Sequence, residues 1–332
     1  MLCIGAFLVG KTEAVGSEQS KPETLFRIGS GGVGGTYFPV AQLLAAAVSQ
    51  TYDCVPGDQC GLPGVLGVAQ ISNGSVANIL DLRNGSLEAG LTQADVAQAA
   101  YLGHAPFAKY GPYEGLRAIA NLYSESVHIV VRAGSDIRSV ADLNGKSVSL
   151  EEPGSGTLTE ARRIIRAYKL DEGDLRAVYL KPNLAAKALM EDRLDAFFVV
   201  AGAPAPAVAE LAAVNSIRLI PIVGREAAAL LAAQPYFFAT EIPIGTYQGV
   251  MVTPTLAVGA QLVVDVRLDD DLVYGITRAI WSPTTEAALQ QGHPKGKEIS
   301  LARALDGLAV PVHPGAERYY REIGLLADST TP

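Results

Sequence analysis

Short apolar runs alternate along the chain with stretches whose apolar residues repeat at helical spacing, and glycines mark several of the joins. Leu25 to Ile28 reads as a strand, and Gly29, Gly31, Gly32, Gly34 and Gly35 follow it. Val40, Leu43, Leu44, Ala47 and Val48 then fall at i, i+3, i+4, i+7 and i+8, one face of a helix. Pro39 suits the first turn of that helix, where a missing N–H costs nothing. Thr36 is placed to cap it. The same design returns later. Ser147 to Leu150 is a strand and Glu151 to Gly156 (EEPGSG) a loop. Thr157 opens a helix with Leu158, Ala161, Ile164, Ile165 and Tyr168 on its apolar face. A helix start presents unpaired N–H groups and partial positive charge to whatever lies in front of it. Glycine lets the backbone approach that guest closely.

Each glycine-loop unit is followed by a matching segment. SVANILDLRNGSLEAGLTQADVAQAA reads helix, turn, short strand, polar exit, helix, and LAAKALMEDRLDAFFVVAGAPAPAVAE reads the same. The expected fold is therefore α/β, with two similar lobes that each carry strand-to-helix loops on one sheet edge. Ligands of open α/β sheets sit beyond such edges, and two facing edges make a cleft. Residues 25–121 and 253–332 are expected to form the first lobe and 122–252 the second. Crossings are expected near residues 121–127 and 246–252, with Gly249 to Val252 as a crossing strand; two crossings make a hinge. Leu256 to Val264 suits strand or helix. His104 to Gly115 reads as a loop, either a flap over the cleft or a packed connection.

Composition narrows the class. The 332 residues are 49% hydrophobic and 18% charged, enough for a full core and about two domains. A net charge of −8 without any block of like charges argues against nucleic acid or an acidic membrane surface as a partner. Leu2 to Val9 is apolar but well short of the ~20 residues that span a bilayer. It reads as the core of a secretory signal lacking its basic start, with Ala14-Val15-Gly16 as a cleavage site, or as a disordered tail; residues 1–24 are set apart on either reading. Cys54 and Cys60 flank a turn-rich stretch, CVPGDQC. A short-loop disulfide fits an oxidising compartment; two separate thiols are the other reading.

No catalytic set is legible. His104, His128, His293 and His313 lie far apart and none pairs with another ligand at metal spacing. Gly29, Gly31 and Gly34 satisfy the dinucleotide fingerprint formally, so an NAD-dependent oxidoreductase is one alternative. Three features oppose it: Pro39 delays the helix, no acidic residue ends the next strand, and the second glycine loop has no role in that reading. No metal and no cofactor is expected. What remains is a binding cleft lined by Ser30, Thr36, Tyr37, Ser75, Gln93, Ser155, Thr157 and the loop amides around them. Hydroxyls, amides and helix starts suit a small anionic or zwitterionic solute. Thr36, Ser75 and Thr157 are equally readable as ordinary helix caps.

IGSGGVGGTYFPVAQLLA, SNGSVANI, QADVA, ESVHIVVRAGS, SVADLNGKSVSLEEPGSGT, LDAFFVVAGAP, TLAVGA, DLVYGITRAIW and HPGAERYYREIGL, in this order, resemble the TAXI family, the solute receptors of TRAP transporters. The resemblance runs from about residue 25 to 326. It implies a type II periplasmic-binding-protein fold, two α/β lobes joined by a two-stranded hinge. It implies periplasmic capture of a small organic acid or amino acid, glutamate-like or 2-oxoglutarate-like, and delivery to TRAP permease subunits in the membrane. Carried over residue by residue, the ligand loops fall on Gly34, Thr36 and Tyr37, on Ser75, on Gln93, on Ser155, Gly156 and Thr157, and on Ala201, Gly202 and Ala203. Ala203 stands where many relatives carry a larger residue, which implies a roomier pocket. A monomer is expected, and a ligand-binding sensor domain is the other alternative.

Overall fold

The structure is a computed structural model that describes residues 24–49 and 61–327. The tail, the signal-like segment and the cysteines Cys54 and Cys60 lie outside the described residues. Strand β1 (Thr24–Gly29) leads through the first glycine loop into helix α1 (Tyr37–Val48). Then come β2 (Val65–Gln70), α2 (Ser75–Arg83), β3 (Ala89–Gln93) and α3 (Ala94–Leu102). β4 (Leu116–Arg132) carries the chain out of this first lobe.

The second lobe repeats the plan: β5 (Ser147–Ser149), α4 (Gly156–Ala167), β6 (Arg176–Val178), α5 (Pro182–Met190), β7 (Ala196–Ala201) and α6 (Pro206–Val214). It adds β8 (Ile217–Leu219), α7 (Arg225–Ala233) and β9 (Phe237–Ile242). β10 (Thr253–Asp265) returns the chain, and α8 (Asp270–Ile280), α9 (Pro283–Gly292) and α10 (Pro314–Glu322) complete the first lobe. The two matching segments seen in the sequence are α2–β3–α3 and α5–β7–α6.

The strands form one hydrogen-bonded path in the order β2-β1-β3-β10-β4-β7-β5-β6. β1 is parallel to β2 and β3, and β5 is parallel to β6 and β7. β4 and β10 run antiparallel to each other through the middle. Their pairing slips at Ala260/Gln261 and again at Leu262/Val263. Such bulges bend a strand and raise its twist. Here they sit opposite Ile119 to Tyr123, whose apolar side chains pack in the first lobe.

Packing explains why the sheet holds two lobes rather than one. Successive residues of a strand face opposite sides. Phe197 and Phe198 of β7 enter different cores, as do Leu262 and Val263 of β10. One pair of cores covers the two faces of the first lobe: Phe26, Ile28, Leu44 and Tyr320 on one side, Ile79, Leu82 and Val96 on the other. A second pair, around Ile164 and Phe198 and around Phe197 and Val208, covers the second lobe. Each fully buried large side chain contributes roughly 1.5–3 kcal/mol.

One expectation shifts and two open ones resolve. The return crossing, expected near 246–252, runs through β10: Thr253 to Val258 still pair with β9, and Gly249 to Val252 form no strand. Leu256 to Val264, readable as strand or helix, is strand, because β3, β4 and β9 supply its backbone partners. His104 to Gly115 is a packed connection. Phe107 and Tyr113 are buried beneath it, and Arg83 Nη1 donates to the Gly111 carbonyl at 2.8 Å.

Candidate functional site

The starts of α1, α2 and α4 converge on a cavity of about 50 Å³ between the lobes. Glycine backbone forms much of its wall, with Gly31, Gly32, Gly35 and Gly74 from the first lobe and Gly156 from the second. The jaws touch around it. Ala207 N–H donates to the Gly34 carbonyl at 3.1 Å, and Ala77 N–H to the Gly154 carbonyl at 3.0 Å. Thr36 Oγ1 donates to the Gly202 carbonyl at 3.0 Å, and Asn73 Nδ2 to that of Pro153 at 3.0 Å. Gly202 permits this approach: a Cβ there would come within 2.6 Å of Lys295 Cγ and 3.1 Å of Thr36 Cγ2.

Among the described residues, two glutamates, Glu125 and Glu151, line the cavity and no Lys or Arg does. Glu125 comes from the middle of β4 and is 2% exposed. Tyr37 Oη donates to Glu125 Oε2 at 2.7 Å and lies 3.2 Å from Ser75 Oγ. A phenol has one proton, so Ser75 donates to Tyr37 while itself accepting from Gln93 N–H at 3.2 Å. The relay runs Gln93 to Ser75 to Tyr37 to Glu125. Burial pushes the Glu125 carboxyl up to about 8, against the pull of the Tyr37 hydrogen bond and the Lys295 charge. Burial likewise raises Glu151 to about 7, opposed by a hydrogen bond from Thr157. Glu151 holds φ at 69°, a left-handed conformation uncommon outside glycine and concentrated at functional sites. Gln93 Oε1 is buried without a partner. The side-chain wall therefore offers acceptors, while the helix starts offer N–H groups. The site can hold positive and negative ends of one small guest.

Of the residues singled out in the sequence, Thr36, Tyr37, Ser75, Gln93, Ser155, Gly156 and Thr157 line the cavity. Ser30 does not; its buried hydroxyl donates to the Gln70 carbonyl at 2.8 Å. Gly34 and Gly202 instead make the cross-lobe contacts described above. Ala201 ends β7 opposite Ser126, and Ala203 packs against the core of the second lobe, so neither sets the width of the cavity. The capping roles also move. Thr36 makes no side-chain cap bond and Ser75 is the first residue of α2, after Gly74. Ser155 is the cap of α4, accepting from Leu158 N–H at 3.0 Å, and Thr157 Oγ1 accepts from Val200 N–H at 3.0 Å.

The sequence reading missed Glu125, Glu151, Asn73 and Pro182. Glu125 had a signal: a charge set in Ser-Glu-Ser between two apolar runs of one strand. Glu151 stood inside the second glycine loop.

His128 is a core residue. Its Nδ1 lies 2.9 Å from the Ser126 carbonyl and its Nε2 2.8 Å from Tyr247 Oη, and burial holds it neutral, at about 4. Among the described residues no cluster of His, Cys, Asp and Glu is arranged to hold a metal.

A solved protein structure from Bordetella bronchiseptica RB50 shares this fold, with a TM-score of 0.54 at 13% identity over 92% of this chain and 99% of that one. Looser matches include the alkanesulfonate-binding protein SsuA of Xanthomonas axonopodis pv. citri bound to MOPS, with a TM-score of 0.46 at 18% identity over 91% and 84%. Another is the arginine-bound form of truncated ArgBP from T. maritima, with a TM-score of 0.43 at 15% identity over 77% and 94%. The model of the NMT1-like family matches residues 28–324, nearly the whole chain, and the chain belongs to that family.

Proposed function

We propose that this chain is an extracytoplasmic solute-binding protein that closes on a small ammonium-bearing solute, an amino acid rather than a 2-oxo acid. One observation carries the reading: a cavity between the jaws is lined by Glu125 and Glu151 together with the starts of three helices, and among the described residues no cationic side chain is in its wall. A carboxylate guest meets N–H groups at the helix starts, each worth roughly 0.3–2 kcal/mol to an anion. Its ammonium meets the two glutamates, whose ionised forms it stabilises. A 2-oxo acid brings no ammonium to either glutamate, so only the helix starts favour it, with the Lys295 charge acting on Glu125 and that of Lys181 on Glu151. At about 10–15 Å³ per water position, 50 Å³ holds about four waters, or about 120 Å³ of liquid. That is the bulk of a small amino acid and leaves no place for a dinucleotide.

Delivery to TRAP permease subunits, and hence a periplasmic location, rests on the resemblance of residues 25–326. No helix among the described residues is long and apolar enough to cross a membrane. A thermal-shift panel of L-amino acids, their matched 2-oxo acids, dicarboxylates and NAD tests the reading. At a concentration about 100 times Kd a specific solute adds ~2.7 kcal/mol, or about 4 °C for a chain of this size. A saturating shift is expected with an amino acid and none with its 2-oxo partner. A shift as large with the 2-oxo acid contradicts the ammonium assignment; a shift with NAD alone contradicts the whole reading.

A further inference from the structure

One charge cluster outside the cavity also spans the lobes. Asp95 opens α3 in the first lobe; Glu160 and Arg163 lie on α4 of the second. Arg163 Nη1 donates to Asp95 Oδ2 and, at 3.2 Å, to Glu160 Oε1. The carboxyl side chains of Asp95 and Glu160 are 2% and 0% exposed. Their remaining oxygens, Asp95 Oδ1 and Glu160 Oε2, are buried with no partner. One guanidinium cannot neutralise two buried carboxylates, and a buried unpaired charge is strongly disfavoured.

A proton resolves this. Carried on Glu160, it makes the cluster neutral and gives that carboxyl a hydrogen to donate toward Asp95. Burial, followed by the charge of Asp95 and hydrogen bonding to it, pushes Glu160 well above the ordinary carboxyl range; Arg163 opposes this and Glu125 of β4 adds to it. The charged groups around Glu125 are Lys295 beyond α9, Glu151 before α4 and Asp95 itself, with Tyr37 of α1 as its hydrogen-bond donor.

We propose that Asp95 and Glu160 form a proton-dependent latch between the lobes: closing takes one proton from solvent onto Glu160, and opening gives it back. When the jaws part, Asp95 leaves with the first lobe. Glu160 keeps Arg163 one turn along its own helix and meets water, so it ionises as an ordinary carboxylate. The sign follows. A group whose acidity is weaker in the closed form favours closing at low pH, and that advantage is lost as pH rises from the open-state carboxylate range toward the closed-state one. For one proton the closing constant falls up to about tenfold per pH unit across that window.

The proposal concerns closure, not which solute binds, so it is tested without solute. Small-angle scattering is measured at about pH 6 and about pH 8.5, either side of neutrality, on the native chain, Glu160→Gln and Asp95→Asn. Glutamine imitates the protonated acid, donating to Asp95 and accepting from Arg163. The expected result is a native radius of gyration that grows at the higher pH, with both variants more compact than native there. A native radius that ignores pH, or a folded variant that expands as much as native, overturns the latch. If circular dichroism shows one variant misfolded, the other decides. Failure here leaves the solute-binding reading standing, since that reading is tested by the thermal panel.

Discussion

Replacing Glu125 with glutamine weakens binding of an ammonium-bearing solute about tenfold to a hundredfold, the ~1.5–3 kcal/mol of a hydrogen bond to a charged group. The shape of the site survives, because glutamine is isosteric and Tyr37 can still donate to its amide oxygen. What is lost is the charge. The same change raises the stability of the solute-free protein at high pH, and the sign can be worked out. Glu125 sits at about 8 in the fold, above the 4.5 of a free glutamate. Its contribution is therefore complete below about 4.5 and is withdrawn as pH rises through about 8. Glutamine does not ionise, so the variant escapes that withdrawal. Calorimetric titration with the amino acid chosen by the thermal panel, and melting at several pH values, check both halves. Unchanged affinity removes Glu125 from the site.

The second large effect is steric. A Cβ on Gly156 would stand 1.9 Å from Gln93 Oε1, 2.6 Å from Gln93 Cδ and 2.7 Å from Ser75 Oγ. Gln93 and Ser75 belong to the opposite jaw. Gly156→Ala therefore either holds the lobes apart, so that the jaws cannot close on the guest, or drives the Gln93 amide into the space the guest needs. Overpacking of this kind costs about 1–3 kcal/mol, up to roughly a hundredfold in affinity. Alanine is a better helix residue than glycine, and Gly156 has no left-handed backbone to lose. The melting temperature without solute should hold or rise while solute affinity collapses. A variant that melts early places Gly156 in the fold rather than in closure.

How much of this was legible beforehand varies with the range of the interaction. Strand, glycine loop and helix start are local, and both copies are visible in residues 25–48 and 147–168. The repeated helix–strand–helix segments are likewise local, so two lobes could be foreseen. The crossing in β10 could not. Thr253 to Asp265 is buried on both faces for most of its length, so its sequence carries no period, and only its neighbours fix it as a strand. Thr36 shows the same limit: a threonine before a helix looks like a cap, but its hydroxyl reaches the Gly202 carbonyl across the cleft. The glutamates escaped for a related reason. Ser-Glu-Ser shows a charge inside a strand but not what covers it; that is settled by Tyr37 of the first lobe and Glu151 of the second, which are distant in sequence.

In the proposed function one guest is held from both jaws at once. Hydrogen exchange on the native chain, with and without saturating L-amino acid from the panel, tests it most directly. Amides of residues 31–37 in one lobe and 154–158 in the other are expected to slow together, with the same solute dependence. Slowing confined to a single lobe, or centred away from both glycine loops, contradicts it.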